Sequence, residues 1–547
     1  MAFTPAAHQP PLPLDRLIRP EAPGADALEM DVLFVGAGPA GLAGAIELAR
    51  LARQDEALGE LSIGVLEKAA GLGEHSLSGA AVNPRVFREL FPDVPEAELP
   101  FVRRIAGERV CFLTRSGTYR IPTPPTMRNH GNYAASICEM VRWLGARAEE
   151  LGVNVFTGFP ADALLVDGES AVRGVRTAAA GLTRDGTPGD GYQPPTDLAA
   201  KVTVLTEGSR GVLSQAWQAW RGIRSPNPPI FALGVKEVWE VREPLDHVIH
   251  TMGWPVPLDG FGGSFCYPMG GNRIALGLVG GLDYRKAGFD VHEMLQRLKL
   301  HPFFRRRLEG GQLLEWGAKT IPEGGYWSLP ERLSGDGLML AGDCAGLVDV
   351  ATLKGIHYAM QSGVFAARTA FAALKSGDVS AAKLSGYDDL VRRSYIVRDL
   401  RRTRNMRLAF EHGLPRAVVE AGLMTVTGGA FPGWRFRVEP DAARPREPAA
   451  GEPFVPDNVL TFSKVDAVFK SGNATRDTMP SHLLVGDGIT PEVAEFYSHV
   501  CPAGVYERVD GGLRVNPSNC VDCKATDVLG PRWTPREGGS GPTYRLM

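Results

Sequence analysis

Two sets of residues in this sequence could carry redox chemistry. The first is Gly36-Ala-Gly38-Pro-Ala-Gly41, which follows the apolar run Asp31-Val-Leu-Phe-Val and opens a helix-forming stretch from Leu42 to Ala52. In a G-x-G-x-x-G pattern between strand and helix, Gly36 permits the tight turn and Gly38 lets the backbone approach a pyrophosphate. Gly41, with Ala45, lets helix and strand pack closely. The helix N-terminus then offers free N–H groups to phosphate. Glu67 ends the next apolar strand, Ile63-Gly-Val-Leu-Glu, where an acid accepts hydrogen bonds from an adenosine ribose. Dinucleotide binding is the reading; a packing turn in some other α/β protein is the alternative.

The second set lies near the C-terminus: Cys501-Pro-Ala-Gly-Val-Tyr-Glu, then Cys520-Val-Asp-Cys523. Thiolates spaced C-x-x-C on a turn, with a distant Cys-Pro, match the way a ferredoxin module wraps an iron–sulfur cluster. Zinc held by three cysteines and another group is the nearest competitor, and three unrelated thiols the blander one.

Flavin rather than nicotinamide is indicated between these sets. Leu338-Met-Leu-Ala-Gly342-Asp343 ends a second apolar strand, and in flavoproteins of the glutathione reductase type such an aspartate holds the ribityl chain. A turn-forming aspartate is the structural alternative. Lys354-Gly355-Ile-His reads as a helix start whose dipole would stabilise negative charge on a reduced flavin ring. Lys201-Val-Thr-Val-Leu-Thr-Glu-Gly supplies another strand, so an FAD domain is assembled from separated segments. A second G-x-G-x-x-G after a strand is missing, which points to electrons from something other than NAD(P)H held in its own fold.

Composition says what kind of elements hold these residues. At about 150 residues per domain, 547 residues give two or three domains, and 44% apolar content excludes disorder. Lys+Arg 59 against Asp+Glu 62 gives a net charge of −3, so no global field favours nucleic acid. Sixty-five glycines fit many tight turns, and seven cysteines are too few for a secreted disulfide framework. A large intracellular α/β protein is expected. Residues 1–29 read as a proline-rich arm extended over the surface, neither a secretory signal nor a transit peptide. No apolar run reaches the roughly 20 residues that span a bilayer, so any membrane contact lies on the surface.

Two more segments bear on function. Gly260-Phe-Gly262-Gly263-Ser leaves a backbone surface against which a flat ring could lie, although on residue chemistry alone a bulge or hairpin pair is the better reading. Arg392, Arg393, Arg398, Arg401, Arg402, Arg404 and Arg407 then precede an apolar segment from Leu414 that ends in Phe431 and Trp434. That pattern fits a monotopic membrane contact, kept shallow by Arg416 and Glu420; a solvated basic helix and a buried loop fit equally. Residues 437–457 read as a linker.

Together with Ser78-Gly-Ala, Asn129-His-Gly-Asn-Tyr, Gly262-Gly-Ser-Phe, Glu323-Gly-Gly-Tyr and the ending Glu537-Gly-Gly-Ser-Gly-Pro-Thr-Tyr, these motifs make the chain resemble the electron transfer flavoprotein–ubiquinone oxidoreductase family. The likeness covers nearly everything after residue 30. It implies a mixed α/β, glutathione-reductase-type FAD fold with an interleaved quinone-binding domain and a C-terminal ferredoxin-like iron–sulfur domain. The implied division is an N-terminal extension (1–29), FAD segments (30–225 and 331–400), a ubiquinone domain (226–330), a membrane-surface segment (401–436), the linker (437–457) and the iron–sulfur domain (458–547). It implies FAD at Gly36, Gly38, Gly41, Glu67, Gly342, Asp343 and Gly355, and a [4Fe–4S] cluster at Cys501, Cys520 and Cys523. Gly262 and Gly263 match the family's quinone-contact glycines, which overturns the bulge reading. The implied partners are electron transfer flavoprotein and ubiquinone, with no nucleic acid. The implied place is peripheral, on the cytoplasmic face of a bacterial inner membrane. Electron transfer itself needs no general base or nucleophile; Tyr267 and His357 are candidates for the protons of quinol formation.

One position departs from the family's C-x-x-C-x-x-C pattern: the third cysteine of the run is Thr526. Asp527, Asp522, Thr526 or a bound hydroxide could complete a four-iron cluster, a [3Fe–4S] cluster needs only three thiolates, or the cluster is labile or lost. Cys111, Cys138, Cys266 and Cys344 fall in the flavin and quinone segments. The rival readings are a geranylgeranyl-reductase-like or hydroxylase-like FAD enzyme, and a flavoprotein carrier or binding module with a degenerate cluster.

Overall fold

Short runs of valine, leucine and isoleucine, buried on both faces, make the parallel centre of a nine-stranded sheet. Leu28–Val35 lies between Ile63–Glu67 and Asp197–Leu205, parallel to both. The nine-residue strand Asp197–Leu205 has two partners on its far edge: Val172–Thr177 along its first half and Leu338–Leu340 along its second. Val35, Glu67, Leu205 and Leu340 therefore end at one edge, where open parallel sheets bind ligands. The computed structural model describes residues 2–55, 58–448, 454–510 and 512–547.

Helix Pro39–Gln54 packs on helix Ile356–Ser376, which starts at Gly355 as its sequence indicates. Two glycines set the approach: a Cβ on Gly44 would lie 2.9 Å from Gly363 O, and one on Gly363 would lie 2.0 Å from Ala40 O.

A second, seven-stranded sheet runs Gln312–Pro322, Phe231–Glu240, Arg273–Gly281, Gly262–Pro268, Val248–Gly253, Glu108–Leu113, Thr118–Ile121. The last two strands come from inside the segment 30–225 that sequence assigned to the FAD domain. Glu108–Leu113 joins this sheet parallel to Val248–Gly253. Its half-buried pattern marks it as a strand but cannot name a partner so far along the chain.

The C-terminal module holds helices Lys464–Phe469, Pro491–Val500 and Ala525–Leu529 and the hairpin Tyr506–Val509/Gly512–Val515. Two segments strap it down. The N-terminal arm is more than a surface layer: Ile18–Arg19 adds to the edge of the large sheet, and Leu17 is fully buried. Phe3 packs edge-on against Phe496 at 5.3 Å, and Gln9 Nε2 donates to Asp527 O at 2.9 Å. The expected linker is also docked as far as residue 448. Asp441 accepts from Phe231 N (2.8 Å), and the fully buried Arg446 donates to the carbonyls of Leu282 and Asp441, both at 2.9 Å. These polar residues resemble a linker in sequence because they bond to the backbone of distant elements. Residues 449–453 of that segment lie outside the described residues.

Candidate functional site

One continuous cavity of about 1100 Å³ runs from the glycine loop, along the second sheet, to helix Leu414–Val426. Gly36, Gly38, Glu67, Gly342, Asp343 and Gly355 line its first end. The three loop glycines divide their roles as their spacing implies. Gly36 has φ +114°, and a Cβ there would sit 2.5 Å from Thr206 O. Gly41 stands outside the cavity, and its Cβ would meet Gly36 O at 2.1 Å. Gly38 has no protein atom within 4 Å of its missing Cβ, so the room there is for a ligand. Glu67 is fixed at its strand end by Ala37 N (3.2 Å) and Ala69 N (2.8 Å). Burial pushes the Asp343 carboxyl up to about 6, with Lys319 pulling it back. A phosphate loop, a ribose acid, a ribityl-side aspartate and a helix start at Gly355 along one cavity fit FAD.

Gly262 and Gly263 line the middle of the same cavity. A Cβ on Gly262 would lie 2.4 Å from Val279 O, and one on Gly263 2.4 Å from Thr251 O. The sheet needs glycine here for its own packing, and the result is also a bare surface for a flat ring. Beside it Arg407 is shared between two buried carboxylates, Glu323 (2.5 Å) and Asp283 (3.0 Å). Burial raises Glu323 to about 7 against the pull of Arg407. Burial also works to raise Asp283, but Arg407 outweighs it and holds that carboxyl below its usual range.

Of the two proton-donor candidates, Tyr267 lines the cavity and bonds His250 Nε2 at 2.6 Å. It lies four residues along its strand from Gly263, on the same face of the sheet. His357 is not in the cavity wall. It is buried against Tyr395, and burial with Lys354 pushes it down to about 3.

A second cavity, of about 20 Å³, is walled by Cys501, Cys520, Cys523, Thr526 and Tyr506. Lys524 and Trp533 line both cavities, so a single side-chain layer separates them. Cys523 O also accepts from Thr320 N at 3.0 Å, and Thr320 is on the large cavity's wall. Burial raises all three thiols, Cys520 to about 12, so a metal would have to draw their protons off. Asp522 and Asp527 do not line this pocket. Asp522 is held by Arg536 (2.9 Å), Trp533 Nε1 (2.9 Å) and Lys68, and Asp527 by Arg210 (2.8 Å) and Trp533 N (3.1 Å). Of the oxygen ligands considered from sequence, only Thr526 lines the pocket with the three thiols, while Asp522 Oδ1 accepts from Cys520 Sγ at 3.6 Å from outside its wall. His482, unforeseen in the sequence, lies within 4.8 Å of Cys520 Sγ and an Asp522 oxygen but outside the pocket wall. Three thiols therefore meet here, and a four-thiolate set does not.

Two family models match the chain: "ETF-QO, ubiquinone-binding" over residues 231–321, and "Electron transfer flavoprotein-ubiquinone oxidoreductase, 4Fe-4S" over residues 458–545. The mitochondrial electron transfer flavoprotein–ubiquinone oxidoreductase of Arabidopsis thaliana is 37% identical over 549 residues, covering 95% of this chain and 85% of that protein. The corresponding Sus scrofa protein is 36% identical over 563 residues, covering 95% and 90%. The chain belongs to the electron transfer flavoprotein–ubiquinone oxidoreductase family. It is an oxidoreductase that takes electrons from electron transfer flavoprotein to ubiquinone, with FAD and a 4Fe–4S-type domain. Among solved structures, a geranylgeranyl bacteriochlorophyll reductase-like protein of Thermoplasma acidophilum shares the fold (TM-score 0.55, 19% identity, 74% of this chain and 92% of that one). At that identity the likeness is one of fold alone.

In this oxidoreductase the cavity ends at helix Leu414–Val426, whose Val418 and Val426 line it and are also 56% and 87% exposed. Val419, Leu423, Phe431 and Trp434 continue an exposed apolar surface beside that mouth. No helix among the described residues is long and apolar enough to cross a membrane. The arginine run splits. Arg392, Arg393, Arg398, Arg401 and Arg402 are exposed, whereas Arg404 donates to Gly429 O (2.6 Å) and Arg407 is the buried partner of Glu323. Sequence grouped Arg407 with the lipid-facing charges because nothing local marks a partner 84 residues away.

Proposed function

We propose that this enzyme takes ubiquinone from the lipid side through the mouth at Val418 and Val426, seats its ring on Gly262–Gly263 and protonates it from Glu323. The observation that carries this reading is that one cavity joins the glycine loop to an exposed apolar helix. The residues for FAD are Gly36, Gly38, Glu67, Gly342, Asp343 and Gly355 at the wall, with Gly41 holding the loop. When bound, FAD supplies the redox chemistry, accepting one or two electrons. The chain's own residues bind, exclude water and hold a proton. The apolar wall of Phe261, Val279, Met406 and Phe410 keeps water from the ring seat. Arg407 holds Asp283 ionised, while burial raises both Glu323 and the neighbouring Asp441 to about 7; of these two only Glu323 lines the cavity, so it is the one placed to hand a proton to a bound ring. The enzyme works at a membrane surface, placed here on the cytoplasmic face of a bacterial inner membrane; the similar proteins include one from Acinetobacter baylyi, 35% identical with 99% of its length covered, beside mitochondrial ones.

Glu323 donates only while protonated, so quinone reduction falls as pH rises through about 7. Glu323→Gln lowers quinone reduction on the order of a hundredfold and removes that limb of the pH profile, while electron transfer flavoprotein still reduces the FAD. Steady-state rates across pH, with single-turnover flavin absorbance as the second readout, check this. A pH limb that persists in Glu323→Gln contradicts it.

A further inference from the structure

The cysteine pocket and the family's cluster disagree by one ligand. Each iron of a four-iron cubane needs one ligand from outside the cluster, whereas a three-iron cluster is satisfied by three thiolates. Cys501, Cys520 and Cys523 wall one small cavity, and Thr526 lines it with them. No other cysteine lines it. Cys138 Sγ is bonded to Ser76 O (3.3 Å), Cys344 Sγ to Leu205 O (3.2 Å), and Cys111 and Cys266 lie in strands of the second sheet. Asp522 and Asp527 lie outside the pocket wall, tied to cations and to Trp533; Asp522 also accepts from Cys520 Sγ at 3.6 Å, but its Oδ1 is already held by Arg536 and Trp533 Nε1. The hydroxyl of Thr526 is a neutral, hard donor where the site's other ligands are soft thiolates.

We propose that this chain holds a [3Fe–4S] cluster on Cys501, Cys520 and Cys523, and that the corner facing Thr526 takes up and releases a fourth iron. The exchange balances as [3Fe–4S]⁺ + e⁻ + Fe²⁺ → [4Fe–4S]²⁺, the electron coming from reduced electron transfer flavoprotein or, in the test, from dithionite. Reoxidation returns the ferrous ion and the three-iron cluster. This deepens the reading that the C-terminal domain carries a cluster, and iron and sulfide analysis tests that reading separately.

The experiment uses the full-length protein prepared without oxygen, with iron, sulfide and FAD quantified and low-temperature electron paramagnetic resonance recorded. The oxidised protein is expected to hold three irons for four sulfides and to show the three-iron signal. Ferrous iron with dithionite should abolish that signal and bring iron level with sulfide. Thr526→Cys should keep equal iron and sulfide and stay silent when oxidised; should that variant not fold, the ferrous titration of the unaltered protein decides alone. A silent oxidised protein with iron equal to sulfide from the start, unmoved by ferricyanide, overturns the proposal. So does a strongly coupled imidazole nitrogen in pulsed spectra, which would make His482 the fourth ligand. Protein lacking both iron and sulfide overturns the cluster reading itself, and this inference with it.

Discussion

Gly38 and Gly41 sit in one loop and do opposite things. Gly38 has φ −78° and ψ −178°, a conformation any residue adopts, and its missing side chain points into open cavity. Gly41 is pressed to 2.1 Å of a backbone oxygen. Gly41→Ala is therefore expected to destabilise the folded protein by about 1–3 kcal/mol, with or without flavin. Gly38→Ala should leave the flavin-free protein within about 0.5 kcal/mol of the parent and weaken FAD by about tenfold, or 1.4 kcal/mol. Urea unfolding of both variants, with flavin retention on a desalting column, checks the contrast. Equal FAD retention by Gly38→Ala and the parent would place the pyrophosphate elsewhere. These roles are legible in the sequence because strand, turn and helix are contiguous there. The Glu323–Arg407–Asp283 group is not, since its three members come from three distant segments and meet only in the folded core.

Helix Leu414–Val426 shows how one element serves two environments. Ala417 and Met424 are buried, Ala421 and Gly422 face the cavity, and Val419 and Leu423 point outward at 62% and 43% exposure. Full burial of a valine or leucine contributes about 1.5–3 kcal/mol, so this outer face gains by entering lipid. The double variant Val419→Glu, Leu423→Glu should bind anionic phospholipid vesicles at least about tenfold more weakly and lose activity with long-chain ubiquinone more than with a short soluble analogue. Vesicle flotation measures the first effect, and undiminished flotation would assign the membrane contact to another face. Sequence showed the aromatic and apolar residues of this segment but not its inner face, because a cavity on one side and lipid on the other both select small and apolar residues. The same ambiguity hid the docking of residues 441–448, where arginine and aspartate bond to backbone groups that sequence does not reveal.

At the scale of the molecule the two sheets and the C-terminal module meet at one partition. Glu67 and Lys68 at the carboxyl edge of the first sheet, Lys319 and Thr320 on the second, and Lys524 and Trp533 of the third unit all face the large cavity. Trp533 is fixed through Asp522, and the Lys524 ammonium lies 4.5 Å over its ring. Gln9 of the N-terminal arm bonds Asp527 of the module, and Arg446 of the docked segment lies 5.9 Å over the Phe496 ring, so both segments hold the module against the sheets. A cluster held at the cysteine pocket would be separated from FAD in the large cavity by the layer of Lys524 and Trp533, and that cavity opens toward the apolar mouth. The direct measurement is anaerobic mixing of the purified protein, on vesicles containing ubiquinone, with enzymatically reduced electron transfer flavoprotein, followed by quinol extraction. Electron transfer flavoprotein should be oxidised and an equivalent amount of ubiquinol should appear in the lipid. Electron transfer flavoprotein that stays reduced, or is oxidised without ubiquinol, would contradict it.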